Sequence, residues 1–544
     1  MTASYAPPGT PVVPVADRGP QPFAGTGPLF RLALRQDRVM IPAWVLVLGM
    51  VVVGGVGSLE SLYDTPAKRS DIFDSLLTNG SLRALTGPAF DDSLGGLVAW
   101  RFGMFTATMA GLMSLLIVVR HTREEEETGR QEMLSSMAVG RRASLTAALL
   151  TALVANTSLA LLVVVATAGP TGSASGALAL GLTVGTVGML FAGAAGITAQ
   201  LTESARLARG LAGAVLGLAF ALRAAGDSAE AAGNSVLTWV SPLGWASQVR
   251  PFAGERWWLL LLLAAAVVVQ GLVAYVLAGR RDVGMSFLAT RPGPAVGRLT
   301  TATGLAWRLQ RGTFLAWTLA FLALGIVFGG MADGASDLIG ENEDTRQIIE
   351  RLGGQTGMTD AFLAAMVGML GMVAAVYVVS AVLRLHGEET SQRAEPILAN
   401  AVSRTGWAFG HLLIAFGGAA VVLAVGGLGL AIGHGESFGS VLGGALVLIP
   451  AVWLLGAIAV LVYGLLPRFA TAAWALAGLC LAIGWIGPAL DLPDAVLDLS
   501  PYAHLPKMPG SAMSWPPVLV LTALAAVMVG AGLAGLRRRD IETT

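Results

Sequence analysis

The chain has 544 residues, of which 55% are apolar and 12% charged, with 34 basic against 34 acidic side chains. A soluble domain carries about 25% charge, so this composition excludes an ordinary soluble protein and points to membrane spans. Zero net charge gives a nucleic acid no electrostatic footing, and the lone Cys480 excludes an internal disulfide or a cysteine-rich metal site.

Residues 1–27 are rich in Pro and Gly and read as a disordered cytoplasmic tail. The tail lacks a basic stretch followed by a short apolar one, so it is not a signal peptide and the first span is expected to be retained. Crossing a bilayer takes about 20 mostly apolar residues. Such runs lie near 41–58, 95–119, 144–168, 176–200, 205–224 and 257–279, then near 312–331, 361–384, 407–433, 441–465, 469–488 and 516–536. The expected fold is all-α, a polytopic membrane protein of twelve transmembrane helices. Residues 28–290 would form the first six-span domain and 291–544 the second.

Basic residues gather in cytoplasmic loops. With the N-terminus inside, the inner segments hold 24 Arg and the outer segments 8 Lys or Arg. Both termini are therefore expected in the cytoplasm of a multi-pass plasma-membrane protein. Trp44, Trp100, Trp245, Trp257, Trp407 and Trp515 fall near span ends, as an interfacial belt requires. Arg101 and Arg223 stand near outer boundaries and are expected to snorkel to the interface.

The two halves repeat each other. Arg35, Arg38 and Trp44 precede the first span as Arg308, Arg311 and Trp317 precede the seventh. After the second span come Glu125, Glu126, Arg130, Glu132, Ala138, Val139 and Arg141. After the eighth come Glu388, Glu389, Arg393, Glu395, Ala401, Val402 and Arg404, seven identities at a constant offset of 263. Ser241-Pro242 is matched by Ser500-Pro501, and Arg281-Asp282 by Arg539-Asp540. Six spans per half makes the two repeats parallel in the membrane.

No Gly-x-x-x-x-Gly-Lys-Ser/Thr loop is present, so the chain cannot cradle nucleotide phosphates that way. Its five histidines lack helix-facing pair spacing, and no metal site is expected. The Glu-Glu segments are the sharpest signal. Acidic residues suit a helix N-terminus. Met133, Leu134 and Met137 follow in the first copy, with Ile397 and Leu398 in the second. A short helix with one apolar face can plug into a groove on another protein.

These segments resemble the cytoplasmic coupling helix of type 2 ABC exporter permeases. The tandem twelve-span form is similar to permeases of actinobacterial antibiotic and multidrug exporters. The resemblance implies a permease rather than an enzyme, with no cofactor on this chain. Two copies of a cytoplasmic ABC ATPase would hold ATP and magnesium and dock at Glu125, Glu126, Arg130, Glu132, Met133, Leu134, Met137 and Arg141, and at Glu388, Glu389, Arg393, Glu395, Ile397, Leu398 and Arg404. Pro396 stands where the first copy has Met133, so the two docks are expected to be unequal. The resemblance also implies a path for hydrophobic or amphipathic molecules between the halves. Candidates are Phe102, Phe105, Met109 and Met113 in the second span and Met366, Met369, Met372 and Tyr377 in the eighth, because Met and Phe give adaptable apolar surface.

The alternative is a gradient-driven twelve-span drug transporter. That class carries ionisable residues inside its spans, and the central thirds of these spans hold almost none. A lipid-modifying membrane enzyme would need carboxylates or histidines clustered at one face, and only the Glu-Glu segments supply them.

Overall fold

The computed structural model describes residues 22–78, 80–129, 139–281, 285–288, 297, 299–332, 358–486 and 493–540. No strand forms among them. Eleven of their helices are long and apolar enough to cross a membrane. The chain is an all-α, multi-pass membrane protein.

An amphipathic helix, α1 (Thr26–Gln36), precedes six helices of the first repeat. These are α2 (Met40–Leu62), α3 (Leu94–Glu127), α4 (Ala143–Thr171), α5 (Ala174–Leu201), α6 (Ala205–Ala229) and α7 (Trp257–Arg280). The second repeat follows with α8 (Ala302–Gly330), α9 (Met358–Thr390), α10 (Arg404–His434), α11 (Phe438–Leu465), α12 (Ala472–Ile486) and α13 (Trp515–Arg538). The helix α12 has 15 residues, a rise of about 22 Å against a hydrocarbon core of about 30 Å. It covers most of the run expected over 469–488; residues 487–492 lie outside the described residues.

Local chemistry sets the ends. Ser173, Thr301 and Ser403 accept hydrogen bonds from the amides of Gly176, Gly304 and Gly406 and so cap α5, α8 and α10. The helices α4 and α10 stop at Gly172 and Gly435, whose left-handed backbone reverses the chain.

Contacts divide the chain into two compact units, Met1–Phe73 with Thr86–Arg291 and Asp74–Leu85 with Pro292–Thr544. In the first, α5 is central and packs on α3, α4 and α7. In the second, α9 is central and packs on α10 and α11, while α8 lies along α10. Glycine and alanine make these approaches close. Gly181 of α5 faces the main chain of Ala160 in α4, and Gly464 of α11 faces Gly532 of α13. Gly325 and Gly329 of α8 meet the main chain of Gly426 and Leu430 in α10. Small faces of this kind let backbones touch and gain dispersion contacts that lipid cannot replace.

Three expectations are corrected. The Glu-Glu pairs do not stand at the start of a helix. Glu125–Glu127 and Glu388–Glu389 lie in the last turns of α3 and α9, which run past the apolar stretches that suggested ends at 119 and 384. Carboxylates are unfavourable at a helix C-terminus, so other partners must hold them there. Arg223 does not snorkel. Its side chain and that of Asp227, one turn later on α6, are fully buried and form an ion pair 3.1 Å long. Close pairing inside the protein replaces the interfacial water that an isolated arginine would seek. Residues 22–25, expected within the tail, form a turn: the amides of Gly140 and Arg142 donate to the oxygens of Ala24 and Pro22.

Candidate functional site

The helix α3 passes through a π-helical turn at Arg120–Glu124 just before its acidic end. Such turns realign side chains relative to the helix below. Here the turn aims Arg120 and His121 at Asp37, the residue after α1. Asp37 is fully buried, 2.9 Å from Arg120 Nη1 and 2.6 Å from His121 Nε2. This contact pins the amphipathic helix to the end of the second span.

Three of the glutamates at this end of α3 form a hub. Glu124 pairs with Arg209 of α6 at 2.6 Å. Glu127 accepts from the amide of Ala205 at 2.9 Å and so tethers the first turn of α6. Glu126 lies deepest. Arg281, just past α7, grips it with Nη2 on Oε1 at 2.6 Å and Nη1 on Oε2 at 2.7 Å. Arg123 adds a third bond to Oε2 at 2.5 Å. Arg281 Nε donates to Gln200 at the end of α5, and Arg123 Nε to the oxygen of Ala199. Both guanidinium groups also reach the main-chain oxygen of Met285. One carboxylate thus joins the ends of three helices through charge-assisted bonds, the strongest kind available to side chains.

The second repeat rebuilds the arrangement. Arg539, just past α13, grips Glu389 with Nη1 on Oε1 at 2.6 Å and Nη2 on Oε2 at 2.7 Å. The hydroxyl of Tyr463 donates to Oε2 at 2.5 Å, and the Arg539 guanidinium lies 5.0 Å from the centre of the Tyr463 ring. Burial acts to lower the Arg539 pKa, but the hydrogen-bonded Glu389 carboxylate and the Tyr463 oxygen carry it above the usual arginine value. Glu388 sits between Arg384 at 3.3 Å and Arg393 at 3.7 Å. Arg404, at the start of α10, donates to the main-chain oxygen of Arg539.

Of the expected docking residues, Arg130, Glu132, Met133, Leu134 and Met137 lie outside the described residues. Glu126, Glu388 and Glu389 are turned inward, with side chains at most 9% exposed, and Glu125 is half-buried. The outward residues are Arg141 in the first copy and Arg393, Glu395, Pro396, Ala399, Asn400 and Ala401 in the second, with Ile397, Leu398 and Arg404 half-buried. The second segment contains a single helical turn, Glu395–Leu398.

Arg281 and Arg539 were visible in the sequence as repeat landmarks without a role. Arg123, Gln200 and Tyr463 were not singled out. Gln200 and Tyr463 share the 263 offset of the acidic motif but not a residue type, so no identity marks them.

A family model described as "Multidrug efflux system permease Rv1217c, C-terminal domain" matches residues 299–537, the stretch from just before α8 into α13. The chain is 41% identical over 530 residues to the multidrug efflux system permease protein Rv1217c of Mycobacterium tuberculosis, covering 96% of each chain. It belongs to the family of multidrug efflux system permeases.

Membership places the chain among transport subunits rather than enzymes, in line with the resemblance drawn from the acidic repeats. In this permease the expected path residues divide by exposure. Phe105 is 48% exposed, and Phe102, Met109, Met366 and Met369 are half-buried. The Phe102 ring fills the space beside Gly55 of α2. Met113, Met372 and Tyr377 are buried. The Met372 sulfur lies against Gly484, and the Tyr377 hydroxyl donates to the oxygen of Ile414 at 3.4 Å while its ring stands edge-on to Trp317.

Proposed function

We propose that this permease is the membrane-spanning part of an ATP-driven exporter of hydrophobic or amphipathic drugs. Two copies of a cytoplasmic ABC ATPase hold ATP and magnesium and dock at the segments after α3 and α9; this chain binds no cofactor of its own. The observation that carries the reading is the recurrence of one construction in both repeats. A segment that leaves the second span of each repeat is anchored by a buried carboxylate–arginine grip to the last span of that repeat. A pull applied to either segment therefore reaches at least two spans. The buried glutamates fix the segment, and the outward face around Glu395 and Ala399 supplies contact area.

The same reading puts both termini in the cytoplasm, the six-span domains at 28–290 and 291–544, and the drug path along Phe105, Met109, Met366 and Met369.

The test uses the permease with its ATPase in sealed vesicles. Drug movement should require ATP hydrolysis and persist when proton and sodium gradients are collapsed. Movement that follows a gradient and ignores ATP would make the gradient-driven transporter the right reading. Orientation is checked in a Cys480→Ala background: Ala67→Cys and Glu436→Cys should react with an impermeant thiol reagent in intact cells, and Ser391→Cys and Ala399→Cys should not.

A further inference from the structure

We propose that Arg281 and Arg539 are positioning residues that tie the last span of each repeat to its coupling segment, and that the two ties are unequal, with the second built to yield first. The proposal rests on the reading that ATPase motion enters at these segments.

The unequal build is visible atom by atom. Four positions make each tie, and they correspond by the repeat: Glu126 with Glu389, Arg281 with Arg539, Arg123 with His386, and Gln200 with Tyr463. The carboxylate and the gripping arginine are kept, and both bidentate contacts have the same pattern and lengths within 0.1 Å of 2.6–2.7 Å. The two remaining positions differ in chemistry. In the first tie a second arginine binds the carboxylate, and Gln200 Oε1 accepts from Arg281 Nε at 2.9 Å. In the second, His386 replaces that arginine and meets the Tyr463 ring edge-on at 6.1 Å. Tyr463 replaces the glutamine, and its hydroxyl is spent on the carboxylate. Arg539 Nε is left buried with no hydrogen-bond partner among the described residues. An unmet buried donor is a standing penalty on the closed state. The first tie has no such defect at the corresponding atom, because Gln200 accepts from Arg281 Nε.

A brace meant only to hold the fold would gain from satisfying that donor, and a glutamine at 463 would do so as it does at 200. A tie that must open and re-form in each cycle gains from the defect, because the closed and open states then differ less in free energy. A two-state element responds to a ligand only by the difference in interaction between its states. The second tie is thereby easier to switch.

The experiment measures drug moved per ATP hydrolysed in vesicles holding the permease–ATPase complex. Arg539→Lys keeps the charge and loses the planar fork. We expect hydrolysis to continue and drug per ATP to fall about tenfold, within the usual range of coupling between sites. Arg281→Lys should lower the ratio in the same direction. Tyr463→Gln, which offers Arg539 Nε the missing acceptor, should slow turnover while the ratio is kept. Tyr463→Phe, a milder change, should raise basal hydrolysis and lower the ratio. The exchange Glu389→Arg with Arg539→Glu should recover part of the ratio lost in Arg539→Lys. Should Arg281→Lys and Arg539→Lys complexes assemble with their ATPase and keep the unmodified ratio, the ties are passive braces and the proposal fails. Equal slowing by Tyr463→Gln and Gln200→Tyr would refute the unequal roles. The unmodified complex is run beside them without ATP; drug movement there would overturn the ATP-driven reading itself, separately from the ties.

Discussion

Asp37 and His121 meet at 2.6 Å although 84 positions separate them, and the carboxylate is fully buried. The repeat partner of Asp37 also meets a histidine, from another span. Asp37 plus the offset of 273 is Gln310, which is also buried and bonds His411 Nδ1 at 3.0 Å. Both side chains thus meet a histidine, but Gln310 lies within α8 and meets α10, whereas Asp37 precedes α2 and meets the end of α3. The first repeat uses a carboxylate beside Arg120 and the second a neutral amide.

Removing the carboxylate leaves the buried His121 ring without this partner, which costs about 1–3 kcal/mol. Asp37→Ala should lower the thermal midpoint of the permease in detergent accordingly. Asp37→Asn, which keeps an acceptor oxygen at this position, should lose less than half as much. An Asp37→Ala midpoint equal to the unmodified one would mean that α1 is not held through this contact.

The buried pair of Arg223 and Asp227 gives a sharper case. The hydroxyl of Thr238 also donates to Asp227 Oδ1 at 2.8 Å, and the guanidinium lies over the Phe220 ring. Losing one partner of a buried pair costs about 3–5 kcal/mol because the other charge stays behind. Arg223→Leu and Asp227→Leu should each cut the folded yield in membranes sharply, and the double substitution should restore much of it. Additive losses in the double variant would show that the two side chains do not act as a pair.

The contrast between these pairs explains what was legible from sequence. Long apolar runs bounded by Ser, Thr and Gly locate helices because a single segment in lipid satisfies its own backbone only as a helix. The repeat placed Glu126 and Glu389 at equivalent positions because identical residues recur. It did not show that they face inward. A glutamate after an apolar run reads as solvated until its partner is known, and Arg281 lies 155 positions away. Arg223 misled for the same reason: an arginine near a span end has water as its default partner, and only packing brings the Thr238 turn over Asp227. The end of α3 was misplaced because hydropathy stops at Val119 while the hydrogen-bonded helix continues on paired charges to Glu127.

Close backbone contact between α8 and α10 makes a third prediction. A methyl group at Gly329 would strike the oxygen of Leu430, whereas Gly312, earlier on the same helix, faces open space. Overpacking a tight contact costs about 1–3 kcal/mol, and alanine gains roughly 0.5–1 kcal/mol over glycine within a helix. Gly329→Ala should therefore destabilise and Gly312→Ala should stabilise, read from thermal midpoints of the two variants. Equal effects from both would remove the case for a packed small-residue face.

The proposed drug path makes the last prediction, and exposure separates the residues that can meet a ligand from those that pack helices. A side chain that holds helices together and one that meets a ligand both lose contacts when cut to alanine, but different measurements report the loss. Met372 fits against Gly484 and Met113 is fully buried, so alanine at either should leave a cavity that costs about 2–5 kcal/mol of stability. Every drug would then be affected alike through the amount of folded permease. Phe105 is half-exposed and Met369 partly so, and alanine there should leave folded amounts close to normal. Export should instead change by roughly 10- to 200-fold for some compounds and little for others, the range expected when apolar contact is removed from a binding surface. The measurement is a panel of drug resistances normalised to the quantity of folded permease in the membrane. A Phe105→Ala, Met369→Ala double variant that exports the whole panel normally would place these side chains against lipid, and the path would then have to be sought on other helices.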